Sequence, residues 1–469
     1  MKKQIFAGVI SGVMAASLTA CGSATATGVS TKAATTTGAA TTTAAATTGA
    51  ATTTAAATTE SDEIKASGSS DALEILIWDK NQQEGLQKIL DEFTKETGIK
   101  TDLQVKPGSA YWTAMEAAAT SGSLPDVFWM HSNMAEMYMS NNILLDLTPY
   151  IEKSSTIDLS NYMSSLTKLY TYNGKNYAIP KDYDTIALWY NKTMFDEAGL
   201  SYPDETWTWD DLLTAAEKLT KDDGSQYGFA MNPTDHQAGY FNIIYSMGGS
   251  VLSEDRKKSE FDSDKTIKAM EYIGKLLKYC PDPSVMSETG TSGLLHSGTI
   301  AMSMQGSWKV AGYKDNDFMT QNCDVAVLPY DKETGVRASI CNGLGWAASA
   351  TTTRPDDCWK LLEWLGSKDM QKMQAELGVT MSAYNNTSDA WVNSTDKFNL
   401  KPYLQETEAK TGEAQNELVQ FPYTYKTRAW LDQMCKDLVP AWSDTSQMAD
   451  ACKQVAEDMN TLISQENSK

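Results

Sequence analysis

The chain has 469 residues, 41% of them hydrophobic and 21% charged, with a formal net charge of −21. That length exceeds one ordinary domain and the composition is that of a soluble globular protein, so two lobes are expected. The acidic balance argues against nucleic acid and against broad docking on anionic lipid, and it disfavours an anionic ligand unless a local basic pocket overrides it.

Lys2 and Lys3 precede an apolar run, Ile5 to Ala16, that is too short to span a bilayer. Leu18-Thr19-Ala20-Cys21 follows and resembles the lipobox of bacterial lipoprotein signal peptides. The resemblance implies removal of residues 1–20, a lipid anchor on Cys21 and a place on the extracytoplasmic face of the cell membrane; a plain secretory signal with a chance cysteine is the alternative. Residues 21–70 read as a disordered linker: Gly38 to Thr48 and Gly49 to Thr59 are identical copies of G-A-A-T-T-T-A-A-A-T-T, with nothing to bury.

Folded structure is expected from about residue 71. Leu73 to Trp78 reads as a strand; Leu86, Ile89, Leu90 and Phe93 recur at helical spacing before a capping Gly98. Ile99 to Val105 is a second strand, Tyr111 to Ser121 a helix ending at Gly122, and Asp126 to Met130 a third strand. Strand–helix–strand alternation predicts a parallel sheet, with ligands beyond the carboxyl ends of its strands. Trp78 to Gln82 and Trp129 to Asn133 lie at such ends, each offering an aromatic and short polar groups.

The middle of the chain, Tyr177 to Phe195, is read as the first crossing between lobes. Ile179-Pro180 ends one strand, Ile186 to Tyr190 is a strand buried on both faces, and Asp182, Tyr183 and Asp184 connect them, with Asp184 facing the cleft. An ordinary loop with a solvated aspartate is the alternative. Beyond it, Thr208 can cap a helix carrying Leu212, Leu213, Ala216 and Leu219. Tyr227-Gly228-Phe229 reads as a strand, Ile267 to Leu277 as a helix, and Ile300 to Met304, Cys323 to Pro329 and Ala338 to Ala348 as strands. Pro355 opens a helix containing Trp359, Leu362, Trp364 and Leu365, and the region after Pro402 reads as mostly helical.

Taken in order, the opening strand with Trp78, Leu124 to Trp129, Leu145 to Pro149, Pro180 to Phe195, Trp207 to Leu212, Ala301-Met302 with Gly306-Ser307-Trp308, and Gly343 to Ala347 before Thr353-Arg354-Pro355 resemble the maltose-binding-protein-like extracellular solute-binding proteins of carbohydrate ABC transporters. The resemblance implies a two-lobed α/β periplasmic-binding-protein fold with three hinge crossings, near Tyr177 to Asp184, Ile340 and Met381. Residues 71–182 and 342–383 would form lobe 1, and 183–341 and 384–469 lobe 2. It also implies a monomer with no cofactor that captures an oligosaccharide between the lobes and delivers it to permease subunits. A pyranose offers an apolar face and a rim of hydroxyls, which aromatic rings, carboxylates and amides can hold. The resemblance places Trp129 and Trp308 at stacking positions, Tyr240 at a further aromatic contact and Asp184 at an acidic one. Asn81, Gln82, Ser132 and Asn133 fall at polar contacts of lobe 1; Tyr423, Arg428 and Trp430 are candidates in the C-terminal region.

Other classes are weaker. There is no Gly-x-Ser-x-Gly elbow, and the three histidines, His131, His236 and His296, are too scattered for a metal site. Gly343 to Ala348 imitates a nucleotide-binding fingerprint but sits between strand-like segments and reads as a tight crossing. Asp222-Asp223-Gly224 and Asp331 to Gly335 read as turns, not calcium loops. A glycoside hydrolase would need two paired carboxylates, and no motif pairs any two; a binding protein for a peptide or a small anionic solute is the more serious rival. Of seven cysteines, six remain beside Cys21, and no C-x-x-C occurs. Cys435 and Cys452 can lie on adjacent helices, either bridged or as isolated buried thiols.

Overall fold

The computed structural model describes residues 64–465; the signal sequence, Cys21 and most of the linker lie outside them. In lobe 1, strand β1 (Leu73–Ile77) leads into α1 (Gln83–Thr97), which buries Leu86, Ile89, Leu90 and Phe93 and ends at Gly98. Strand β2 (Thr101–Val105), α2 (Ser109–Ser121), β3 (Val127–Met130) and α3 (Ser132–Ser140) follow. The chain packs on this lobe earlier than residue 71. The Lys65 amide donates to Gln104 Oε1 at 2.8 Å, and the Ser67 amide to the Leu124 carbonyl at 2.9 Å.

The lobe 1 sheet has the order β2-β1-β3-β9-β4, with β4 at Ala178–Pro180 and β9 at Gly345–Ala348. Strands β1, β2 and β3 are parallel as expected, but β9 is antiparallel to both its neighbours, with Trp346 opposite Trp129 and Gly345 opposite Pro180. The reason is the chain path. Strand β4 runs towards the cleft on its way out of the lobe, and β9 returns from the cleft, so it must run the other way. Helices α7 (Pro355–Gly366) and α8 (Lys368–Glu376) cover the sheet; Trp359 stacks on Tyr150 at 5.5 Å and Trp364 meets Phe93 edge-on at 6.0 Å.

Lobe 2 is built on β5 (Ile186–Asn191), buried at every residue, between β6 (Met302–Gly306) and β7 (Cys323–Ala326). Both pairings are antiparallel, so the parallel logic of the first lobe is not repeated here. Between β5 and β6 lie α4 (Trp209–Leu219), α5 (Phe241–Ser246) and α6 (Asp264–Leu276). Thr208 and Asp211 cap α4 reciprocally, each side chain meeting the other's backbone. Tyr227 to Ala230 is not a strand: it touches β6 only through isolated bridges, pressed against the α4 backbone. The run Ala338 to Ala348 divides into β8 (Val336–Cys341) in lobe 2 and β9 in lobe 1, with the crossing between them. The C-terminal region holds a strand the sequence reading missed, β10 (Ala414–Gln420), parallel to β8. Its polar composition hides it, since only Ala414 is fully buried. Helices α9 (Thr427–Ser443) and α10 (Met448–Ser464) close the lobe. Cys435 and Cys452 lie on these two helices, but no disulfide joins any of the six cysteines of the described residues.

Candidate ligand-binding cleft

Three segments run side by side where the sheets of the two lobes meet. The first is Lys181 to Thr185, after β4. Its Lys181 amide donates to the Leu344 carbonyl at 2.8 Å and its Asp184 amide to the Asn342 carbonyl at 2.7 Å, tying it to the segment between β8 and β9. Asp182 bridges Ser382 of the third segment. The approach is close enough to require glycine at 343, where a Cβ would lie 2.3 Å from the Asp182 carbonyl oxygen.

This junction carries charge. The Lys181 side chain is completely buried; its ammonium lies 2.5 Å from Asp182 Oδ2, donates to Gln82 Oε1 at 2.9 Å, and sits 4.6 Å from the centre of the Trp129 ring. Asp182 Oδ1 accepts from the Leu344 amide at 2.7 Å. Asp184 accepts from the Ser307 hydroxyl at 3.1 Å. Burial, and then the Asp182 charge beside it, hold the Asp184 carboxyl well above the usual carboxylate range, against the pull of Lys181. A carboxyl so placed can both donate to and accept from a ligand hydroxyl.

From lobe 1 comes the N-terminus of α3. His131 Nδ1 accepts from the Asn133 amide at 3.2 Å, and Nε2 lies 3.1 Å from the Asn342 amide group, which also meets Gln237 Oε1 at 3.2 Å. Burial pushes His131 down to about 4, so it is neutral near pH 7. With Nδ1 accepting, the proton sits on Nε2, which makes the Asn342 carbonyl oxygen its natural partner once the amide is turned over. Four further buried polar atoms of this region, Trp129 Nε1, Ser132 Oγ, Asn133 Oδ1 and Gln420 Oε1, have no hydrogen-bond partner among the described residues. Each such atom costs about 1–3 kcal/mol unless something else satisfies it, and ligand hydroxyls are suitable groups.

From lobe 2 comes Trp308, partly exposed at the end of β6. A Cβ on Gly306 would lie 1.9 Å from its ring, so only glycine lets the indole fold back over the strand end, next to Ser307 and Asp184. The turn that follows touches lobe 1, where a Cβ on Gly312 would come within 3.2 Å of Asn81 Nδ2.

The structure therefore brings together Asn81, Gln82, Ser132, Asn133, Asp184 and Trp308 at the junction. Trp129 is fully buried there, with Lys181 over its ring and Trp78 and Trp346 against it, so that its indole N–H rather than its face is what it can offer. The remaining expected contacts sit differently. Tyr240 is fully buried, with its phenol donating to Met434 Sδ at 3.2 Å and its ring beside Trp442. Trp430 is fully buried and donates to Thr424 Oγ1 at 3.1 Å. Arg428 is exposed and paired with Asp432 at 3.0 Å. Tyr423 lies half-buried under the Arg256 guanidinium, 4.3 Å from its ring centre. Lys181, Asp182, His131, Asn342 and Gln420 were not singled out from the sequence. The available signal was three charged residues, Lys181, Asp182 and Asp184, between two apolar strands. Among the described residues no group of three or more His, Cys, Asp or Glu side chains converges as a metal site would require.

Comparison with known proteins accords with this geometry. The family model described as bacterial extracellular solute-binding protein matches residues 78–372, more than half of the chain. The arabinooligosaccharide-binding protein of Bacillus subtilis is 25% identical over 301 residues, which span 61% of this chain and 66% of that protein, just under two thirds. A maltooligosaccharide ABC transporter solute-binding lipoprotein of Streptococcus pneumoniae is 22% identical over 331 residues, covering 67% of this chain and 73% of the relative. Among solved structures, an ABC substrate-binding protein of Listeria monocytogenes in complex with cycloalternan superimposes with a TM-score of 0.75 at 22% identity. The match covers 83% of this chain and 98% of that one, and shows the two-lobed fold.

Proposed function

The chain belongs to the bacterial extracellular solute-binding protein family, and on that premise we propose that it captures an oligosaccharide between its lobes and hands it, chemically unchanged, to the permease of an ABC importer. The observation that supports this best is the junction itself, where four unpartnered buried polar atoms, a carboxyl able to donate or accept, and the partly exposed ring of Trp308 converge from both lobes. Hydroxyls would satisfy the polar atoms and the pyranose face would lie on the indole. Residues 181–185, 342–344 and 380–383 would act as the three hinges about which the lobes move as near-rigid bodies, and the ligand contacts would come from Asn81, Gln82, Trp129, Ser132, Asn133, Asp184 and Trp308. The named specificities of the relatives, for arabino- and maltooligosaccharides, favour a neutral glycan as the core of the ligand. Anchoring through Cys21, as a monomer on the extracytoplasmic face, completes the reading; Cys21→Ser is expected to move the protein out of the membrane fraction.

A thermal-shift panel of mono- and oligosaccharides, peptides and phosphates tests the ligand class. A saccharide at 100 times its dissociation constant adds about 2.7 kcal/mol and raises the midpoint by several degrees. Stabilisation by peptides or phosphates alone would overturn the proposal, and recovery of shortened saccharide after long incubation would point to a hydrolase instead.

A further inference from the structure

A second cavity, of about 120 Å³, opens beside the cleft and is lined from both lobes: Glu136, Lys168, Tyr172 and Asn173 from lobe 1, Arg256 and Tyr423 from lobe 2. At roughly 30 Å³ per molecule in the liquid, its volume is that of about four waters, enough for a charged substituent and the carbons that bear it. Its charge runs against the rest of the molecule. In a chain of net charge −21, this cavity gathers two cations and one carboxylate. Neither cation is paired with a carboxylate of the described residues, although Lys257 and Lys258, next to Arg256, are paired with Asp255 and Glu260.

Arg256 is placed by construction. Leu252 and Ser259 bridge across a turn in which the Arg256 amide donates to the Ser253 carbonyl at 2.8 Å and the Lys257 amide to Asp255 Oδ1 at 3.1 Å. The residue itself takes the left-handed conformation, φ 58°, which a branch-free side chain tolerates at modest cost. The turn lays the guanidinium against the Tyr423 ring, 4.3 Å from its centre. Stacking occupies the flat face and leaves most of the N–H edge for a planar acceptor; one donor reaches the Tyr423 carbonyl at 3.5 Å. That is the arrangement in which arginine takes a carboxylate with two parallel hydrogen bonds.

The cavity is also in reach of the cleft. Glu136 follows Ser132 by four residues on α3, and Met139, which lines the cavity too, follows by seven. At 1.5 Å per residue the two sites are roughly 6–10 Å apart along the helix, a step that one or two linked sugar rings can cover.

We propose that the Arg256–Tyr423–Lys168 cavity is a subsite for a carboxylate-bearing end of the saccharide, so that the preferred ligand is an oligosaccharide carrying a terminal uronic acid. Arg256 and Lys168 take the carboxylate, Tyr172 and Tyr423 flank the ring that bears it, and Asn173 and Glu136 meet its hydroxyls. The net negative charge of the chain disfavours such ligands elsewhere on its surface. The inference rests on the saccharide reading above.

The test is titration calorimetry of the mature chain with matched pairs of tri- and tetrasaccharides, differing only in whether the terminal unit is a hexose or the corresponding hexuronic acid. Wild type is expected to bind the acidic member about tenfold tighter, as for one hydrogen bond to a charged group, and to lose most of that margin between about 50 and 500 mM salt. In the double variant Arg256→Gln/Lys168→Gln the acidic and neutral members are expected to bind alike, with thermal midpoints of the free proteins unchanged because both side chains are exposed. Equal binding of both members by wild type, or a preference that survives the double variant, overturns the subsite and leaves the saccharide reading standing. Binding of neither member of any pair, with peptides or phosphates bound instead, overturns both.

Discussion

Lys181 is the residue on which the junction leans most, and replacing it separates a structural charge pair from ordinary packing. In Lys181→Met the methylenes are largely kept while the ammonium is lost. Asp182, only 3% exposed at its side chain, then keeps the Leu344 amide on Oδ1 but has nothing charged on Oδ2. Gln82 loses its donor, and the Trp129 ring loses the cation over its face. Removing one partner of a buried pair costs about 3–5 kcal/mol, because the other charge stays buried. The double variant Lys181→Met/Asp182→Asn removes that orphan, and the new amide oxygen can still accept from Leu344. It is expected to recover most of the loss, to within about 1–2 kcal/mol of wild type. Urea unfolding followed by tryptophan emission reports both lobes, since Trp78, Trp129 and Trp346 pack as one cluster in the first and Trp189, Trp209 and Trp430 are buried in the second. A single variant that costs less than about 1 kcal/mol, the range of an exposed pair, or a double variant at least as damaged as the single one, would refute the reasoning.

Gly306→Ala tests the placement of Trp308: the backbone at φ −79° suits alanine, so stability should change little, while the ring must swing away from a Cβ 1.9 Å distant. Saccharide affinity should then fall by about 2 kcal/mol, matching Trp308→Ala, as for a lost aromatic anchor; calorimetry on both variants compares them. Glu406 provides the pH dependence. Burial raises its carboxyl to about 8, against the lowering pull of Arg337 and the Leu328 amide. The folded state therefore holds a proton that the unfolded state releases above about 4.5, and stability contributed by this group falls by about 1.4 kcal/mol per pH unit from there to about 8. Glu406→Gln, which keeps the acceptor for the Leu328 amide, should flatten that slope in urea midpoints measured from pH 5 to pH 8.

Helices were legible in both lobes where a full apolar stripe is closed by glycine or capped by a short polar side chain, as at Gln83–Thr97 in the first and Trp209–Leu219 in the second. Direction was not legible. Nothing local to Gly345–Ala348 tells that it re-enters its sheet against the grain; that follows from where the chain has been. Strand Ala414–Gln420 escaped because its residues do not alternate in polarity and only Ala414 is fully buried, its place being set by parallel pairing with Val336–Cys341. At the cleft, an aromatic and short polar groups at a strand end pointed to Trp129, Ser132 and Asn133, and the family resemblance pointed to Trp308. Lys181 and His131 did not stand out, because a single lysine or histidine in a sequence is usually a solvated side chain, and only the folded junction shows the first buried on Asp182 and the second wedged against Asn342.

Hydrogen exchange of the mature chain with and without a saturating saccharide tests the central claim most directly, because it reports both lobes in one measurement. A ligand held between the lobes is predicted to slow exchange together at His131 to Ala135 in the first lobe, at Asn342 to Leu344 in the crossing, and at Gly306 to Val310 in the second lobe, with the outer helix Met448–Ser464 unchanged. Protection confined to one lobe, or saturation without protection at any of the three segments, would contradict capture at this junction.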